Sequence, residues 1–429
     1  MSRTLLLALL IFALFLGGLA SFNPGWLALI LPLGLYLLVG FLFAPEKLNL
    51  TVERRLSAER AAPGQPVTVE LLVTNHGADL RELFLRDPLS PALTVTEGAS
   101  SRLVRLKHGQ SLAWSYTLTG KRGFYQFSTL QASASDPFGL LTVEQELPTP
   151  GQILILPVAP RVRRMVIRTR ATRVYSGSIP ARAGGAGTDF FGVREYQPGD
   201  AQRAVNWRVS ARHPQALFAN EFEQERVADV GLILDARLQV NQLGARLSIF
   251  EESVLAAASL SEAFLAAGNR IGLLVYGQFI NWTLPGYGRQ QRERLLQALA
   301  RAVPGESQAF ARIYIPARLF PPQSQLVFVS PLLSEDVPPL VALRAQGYSV
   351  LVISPDPVRY EAAQLPPSAS VQQAARILSL QRQITLRRLR QSGVQVVDWD
   401  VSRPFEQVVE SSLSRPPVFL RAIRAGSAG

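Results

Sequence analysis

The residues whose types could do chemistry crowd into one stretch of this 429-residue chain. From Gly187 to Arg212 it reads GTDFFGVREYQPGDAQRAVNWRVSAR, with Pro198 and Gly199 as a turn near its middle. The carboxylates of Asp189, Glu195 and Asp200 are interleaved there with Arg194, Arg203, Arg208 and Arg212, and with Phe190, Phe191, Tyr196 and Trp207. An extended segment, Ala216 to Glu225, follows and carries Glu221, Glu223 and Glu225 on one face, because strand side chains two apart share a face. Two carboxylates in one pocket with displaced pKa values can act as general acid and base. The same carboxylates beside arginines can equally form ion pairs that hold a compact plug. The residues alone leave both readings open.

Other chemistries find less support. Cysteine is absent, which excludes disulfides and thiol catalysis. His76 and His108 lie at turns of the N-terminal strand region; His213 has Ser210 nearby, but as the residue before Pro214 it reads as a surface histidine rather than as a catalytic base. Gly184-Gly185-Ala186-Gly187 lacks the Lys-Ser/Thr that completes a phosphate-binding loop. The net charge of +12 is carried almost wholly by arginine, since Lys47, Lys107 and Lys121 are the only lysines. Such a balance points to an anionic neighbour (membrane surface, acidic protein or nucleic acid) or to a solvated basic surface. No nucleic-acid reading module is visible, so nucleic acid is not expected as a partner.

The elements that must position these residues begin with residues 1–45. Two apolar runs, about 5–22 and 26–43, are each long enough to span a bilayer, and Asn23-Pro24-Gly25 separates them. Arg3 precedes the pair and Lys47, Arg54, Arg55 and Arg60 follow it, which predicts a transmembrane hairpin with both ends cytoplasmic. A signal peptide ending at Gly18-Leu19-Ala20 is the alternative, and it leaves the body on the same side. Residues 46–157 alternate in short runs between Gly, Pro and Asn turns, the pattern of an immunoglobulin-like β-sandwich with Trp114 and Phe127 in its core. Residues 158–226 hold a basic linker (Arg161, Arg163, Arg164, Arg168, Arg170, Arg173, Arg182) and the opening stretch; its glycines predict mobility, and a nearby membrane would attract its charge. Residues 227–415 alternate apolar strands with helices, which predicts a doubly wound parallel sheet. Residues 416–429 read as a flexible tail.

The opening stretch resembles the signature of the bacterial and archaeal family called domain of unknown function 58. Gly187, Asp189, Phe190, Arg194, Glu195, Tyr196, Gly199, Asp200, Arg203, Trp207, Ser210, Ala211 and Arg212 occupy the signature's places, and Glu221 and Glu225 match the acidic residues that follow it. Asn206 stands where many members have Asp. The resemblance implies the membrane hairpin, the sandwich with its Asp136-Pro137-Phe138-Gly139-Leu140 ending, and a von Willebrand factor A-like sheet domain. It also implies work beside a MoxR-type AAA+ ATPase. A von Willebrand-type domain binds Mg²⁺ through Asp-x-Ser-x-Ser and residues of two later loops. Here Asp235 is in place, but Arg237 and Gln239 occupy the serine positions, Ser330-Pro331 offers no aspartate although Glu335 and Asp336 follow, and Pro285-Gly286-Tyr287-Gly288 offers no threonine. Asp235 is therefore expected to be structural, paired with Arg237 or Arg270, with no metal and no cofactor.

These readings combine into a multidomain α+β protein that is anchored in the bacterial cell membrane and is not an enzyme. It is expected to act as an interaction or adaptor protein with a MoxR-type AAA+ ATPase, in protein assembly, maturation or stress response. A hydrolase built on the signature carboxylates and a metal-dependent adhesion module are the alternatives. The signature itself is read as a joint between sandwich and sheet domain, a role compatible with a docking surface.

Overall fold

The computed structural model describes residues 3–22, 24–42, 47–136, 139, 141–162, 173–213, 215–227, 229–243, 247–306, 315–316, 318–322 and 324–413. The chain divides into two compact units, Met1–Leu156 and Pro157–Gly429.

The first unit opens with two helices that pack on each other, α1 (Arg3–Ser21) and α2 (Pro24–Leu42). Both could span a membrane by length and composition, and their leucines and phenylalanines are largely exposed, as lipid-facing side chains are. Strands follow as β1 (Leu50–Leu56), β2 (Arg60–Ala61), β3 (Val67–Asn75), β4 (Leu80–Arg86), β5 (Leu93–Glu97), β6 (Ser101–Leu106), β7 (Ser111–Gly120), β8 (Gly123–Ser135) and β9 (Thr142–Ile155). They form two sheets, ordered β1-β3-β7-β5 and β2-β9-β8-β4-β6. Side chains alternate between core and solvent along β3, where Val67, Val69, Leu71 and Val73 are buried. They meet Leu83, Leu85, Leu130 and Ile153 of the other sheet in one core, which makes the pair a β-sandwich. Trp114 and Phe127 are buried in that core, as their sequence setting predicts. Of the sandwich's expected ending, Pro137, Phe138 and Leu140 lie outside the described residues.

The sequence gives no sign of a charged cluster buried in this sandwich. Arg54 donates to Asp87 at 2.7 Å and to the Thr149 carbonyl, and its guanidinium lies 4.7 Å from the centre of the Phe127 ring. Tyr116 donates to the other Asp87 oxygen at 2.6 Å. Burial pushes the Asp87 carboxyl up, and the bonds from Tyr116 and Arg54 hold it back. Removing one partner would strand the other charge in the core. Asp87→Ala is therefore expected to destabilise the first unit by about 3–5 kcal/mol, and Tyr116→Phe by about 1 kcal/mol. Denaturation of the detergent-solubilised protein would measure both, and equal small losses would contradict the burial argument.

The second unit starts with β10 (Arg173–Glu195), paired antiparallel with β11 (Phe218–Val227). A mobile linker is expected from the glycines here, yet Gly184 and Gly185 lie in the strand. Each flanks a register shift, where a bulge suits a residue without a side chain. Arg163, Arg164, Arg168 and Arg170 of the basic run lie outside the described residues, as do residues 414–429. Between β10 and β11 lies the short helix α3 (Trp207–Ser210).

A six-stranded sheet follows: β12 (Asp229–Asp235), then, after α4 (Leu238–Asn241) and the small pair β13 (Gln242–Leu243) and β14 (Leu247–Ser248), come α5 (Phe250–Ala266), β15 (Arg270–Tyr276), β16 (Ile280–Gly286), α6 (Gly288–Arg301), β17 (Gln325–Val329), α7 (Val337–Ala345), β18 (Ser349–Pro355), α8 (Pro357–Gln364), α9 (Ala369–Gln391), β19 (Gln395–Trp399) and α10 (Phe405–Leu413). Its order is β16-β15-β12-β17-β18-β19. All neighbours are parallel except β16, which pairs antiparallel at the edge because only the short turn Gly277-Gln278-Phe279 separates it from β15. The inner strands β12, β17 and β18 are buried on both faces, which is why they read as unbroken apolar runs. Ile233, Leu274 and Phe328 join Leu340 and Leu343 of α7 and Leu386 and Leu389 of α9 in one core, and the alternate residues of these strands turn to the face that α5 covers.

Candidate functional site

Strand order in this sheet reverses between β12 and β17. Open α/β sheets receive ligands at such a point, outside the carboxyl ends of the strands. Asp235 ends β12 there and Ser330 follows β17. Arg237, two residues past β12, turns back into the crest: its Nε lies 3.0 Å from Asp235 Oδ1, and one terminal nitrogen lies 2.8 Å from both Asp235 Oδ2 and Asp336 Oδ2. Ser330 donates to Asp235 Oδ2 at 2.6 Å. Asp336 arrives from the loop before α7 and also accepts from the Leu333 amide at 2.7 Å. All four side chains are buried.

Local backbone explains the convergence. Asn241 donates to the carbonyls of Asp235 and Arg237, fixing the turn that aims the guanidinium inward. Gly305 bonds to Ala236 and Leu238 on either side of Arg237, and it lies so close to the Gln278 backbone that a Cβ would collide with it. Leu332 takes φ 65, a strained value for a leucine. That strain sits in the loop carrying Ser330 and Asp336, and its buried side chain offsets the cost. Burial works to lower the Arg237 pKa, but bonds and charge from Asp235 and Asp336 outweigh it and raise the value. Burial raises Asp336, against the pull of Arg237.

The crest residues do not fit a divalent cation. Arg237 fills the space between the carboxylates with a positive charge and engages both of them. Among the described residues, no group of three or more His, Cys, Asp or Glu is placed to hold a metal ion. Of the two partners expected for Asp235, Arg237 is the one it takes; Arg270 pairs instead with Asp229 at 3.3 Å. Asp336, the third member, lies 99 residues beyond Arg237, and only the acidic pair after Ser330-Pro331 hinted at it.

The signature forms a second centre. Arg194, near the end of β10, grips Asp200 with two bonds of 2.8 and 2.7 Å, and its Nε lies 3.7 Å from Glu221 on β11. Pro198 and Gly199 make the intervening turn, with Gly199 at φ 109 as the residue after proline in such turns requires. Tyr196 donates to the Asp200 carbonyl at 2.8 Å and the Gln197 amide to its carboxylate at 2.9 Å. Asn206 caps α3 by accepting from Val209, while its amide donates to Asn220, a bond that an aspartate could not give. Ser210 bonds to the Phe218 backbone through its hydroxyl, and the His213 ring packs on the Phe218 ring, so the two do not form a catalytic pair.

Other signature residues stay outside this lock. Trp207 is 69 % exposed, and Arg203, Arg208 and Arg212 around it are exposed, with no carboxylate partner among the described residues. Glu195 is exposed as well. Asp189, Phe190 and Glu225 lie in β10 and β11, but their side chains fall outside the described residues.

Both centres give measurable expectations. The bonds from Arg194 and the Gln197 amide hold the Asp200 carboxyl below its usual range. A depressed acid stabilises the fold above its unfolded pKa and loses that contribution as pH falls through the folded value. Hydrogen exchange of the segment 194–200 should therefore accelerate on acidification beyond the intrinsic rate, and Asp200→Asn should remove that acid dependence. At the crest, Arg237→Ser leaves two buried carboxylates unneutralised at a cost of about 3–5 kcal/mol. Mg²⁺ or Ca²⁺ should raise the melting temperature of this variant and leave that of the native protein unchanged. A native protein that responds as strongly would show that the guanidinium does not fill the site.

Comparison with known sequences agrees with the signature. The sequence model of the family described as "Protein of unknown function DUF58" matches residues 192–374, from the end of β10 into α9. The Bacillus subtilis (strain 168) protein "Uncharacterized protein YeaD" is 29% identical over 205 residues, 48% of this chain and 49% of that one. "Uncharacterized protein Rv1480" of Mycobacterium tuberculosis (strain ATCC 25618 / H37Rv) is 26% identical over 148 residues, 34% of this chain and 46% of that one. The chain thus matches these relatives over about half of their length. Among solved structures, the CARDB domain of a Pyrococcus furiosus protein aligns with 26% of this chain and 92% of its own, at 15% identity and a TM-score of 0.19, too low to carry an argument. The resemblance read from the signature holds: residues 192–374 match the DUF58 family of unknown function.

Proposed function

We propose that this is a membrane-anchored, non-enzymatic interaction protein that works with a MoxR-type AAA+ ATPase in protein assembly, maturation or stress response. In this proposal α1 and α2 hold it in the membrane with its folded units on the cytoplasmic side. The six-stranded unit serves as a von Willebrand factor A-like domain whose cation is replaced by Arg237.

The observation that carries the reading is Trp207. An exposed tryptophan among arginines without carboxylate partners among the described residues is the composition of a binding hot spot, not of a solvated loop. Asn206 and Ser210 bond α3 to β11, so the signature both holds and presents the surface. The three arginines suit a partner with an acidic rim, and charge of this kind governs encounter more than final affinity.

Affinity purification of the full chain from membranes, with and without ATP, tests the proposal. A MoxR-type ATPase should co-purify, and Trp207→Ala should weaken its binding by about 2 kcal/mol, close to thirtyfold. Arg194→Ala or Asp200→Ala should reduce capture indirectly, by loosening the turn. Absence of the ATPase in every nucleotide state would refute the partnership.

A further inference from the structure

We propose that α9 lies on the surface of an anionic bilayer, with its outer apolar stripe against the acyl chains and its outer arginines on phosphate-bearing headgroups. The helix holds Arg376, Arg382, Arg387, Arg388 and Arg390 and no acidic residue. Its inner side is occupied: Leu386 and Leu389 are buried, and Arg382 donates to the Pro331 carbonyl at 2.8 Å, to Ser354 at 3.0 Å and to Asp398 at 2.8 Å. These bonds fix the helix by one side to the carboxyl ends of the strands. The side turned to solvent is therefore presented rigidly.

That outer side is apolar in its middle. Ile377, Leu380 and Ile384, spaced three and four residues apart, are 58, 54 and 54 % exposed, and Leu378 beside them is 47 % exposed. The stripe runs on into Arg387 and Arg388, one further turn along, and Arg376 lies four residues before Leu380. Arg376, Arg387, Arg388 and Arg390 are exposed and have no carboxylate partner among the described residues. A basic helix with an unpartnered apolar stripe matches the in-plane membrane helix in both charge and shape. Lipid is favoured over an acidic protein because the same chain carries two helices able to span a membrane, so a bilayer would always be within reach. Each arginine near an anionic surface adds to the attraction, which salt screens. The inference needs no ATPase, so it can fail or hold independently of the partner reading.

The absence of native cysteine allows a clean test on the full chain. Leu380→Cys, labelled with an environment-sensitive fluorophore, is reconstituted into vesicles of phosphatidylcholine alone or mixed with phosphatidylglycerol. In the anionic vesicles the dye should shift to the blue and be quenched by doxyl lipids. Both effects should shrink as salt rises from about 0.05 to about 0.5 M, and should be lost when Arg376→Gln, Arg387→Gln and Arg388→Gln are added. Circular dichroism checks that the triple variant keeps its fold. Identical spectra in the two kinds of vesicle, or quenching that survives the triple variant, would overturn the proposal. A dye that stays water-like in both vesicles and is shielded only by added polyglutamate would also overturn it, and would assign the helix to an acidic protein.

Discussion

Arg237 neutralises two buried carboxylates at the point where the sheet reverses its order, and the second unit is arranged around that contact. A lone carboxylate there would be too costly to bury, and a pair would repel. The guanidinium resolves both problems because its planar fork reaches Asp235 and Asp336 at once. It ties the end of β12 to the loop before α7, across the seam between the two halves of the sheet. Ser330, the strained Leu332 and the close approach at Gly305 all serve to keep that contact in one geometry.

Two groups of arginine in this chain differ in what they touch. Arg54, Arg237 and Arg382 each reach into the fold and take specific acceptors, and the half-exposed Arg194 takes Asp200. Around α3 and along the outer side of α9, arginines stand exposed without carboxylate partners among the described residues, next to Trp207 or to an apolar stripe. The first population accounts for stability and shape. The second is the part of the net charge that a partner or a surface can use. Among the signature carboxylates, Asp200 is held by two bonds to one arginine.

Much of this was readable from sequence, for identifiable reasons. The sandwich and the α/β unit declare themselves by period, alternating in one and continuous in the other. The Arg237–Asp235 pair was foreseeable because both residues sit within two positions of a strand end. Asp336 was not, since nothing local marks a partner so far along the chain. Nor was β10: glycine-rich, basic sequence looks like linker, and only pairing with β11 makes it a strand. The signature's mixture of aromatics and paired charges suggests a compact plug or joint, and composition does not show which of its residues face solvent. Exposure of Trp207 is a tertiary fact, and it divides the stretch into a lock and a surface.

The crest is closed by the protein's own cation, Arg237. Calorimetric titration of Mg²⁺ and of Ca²⁺ into the native full chain measures this. No saturable binding heat is expected from either ion. A stoichiometric site that vanishes in Asp235→Ala would contradict the account, because it would mean that Arg237 yields its place to a metal.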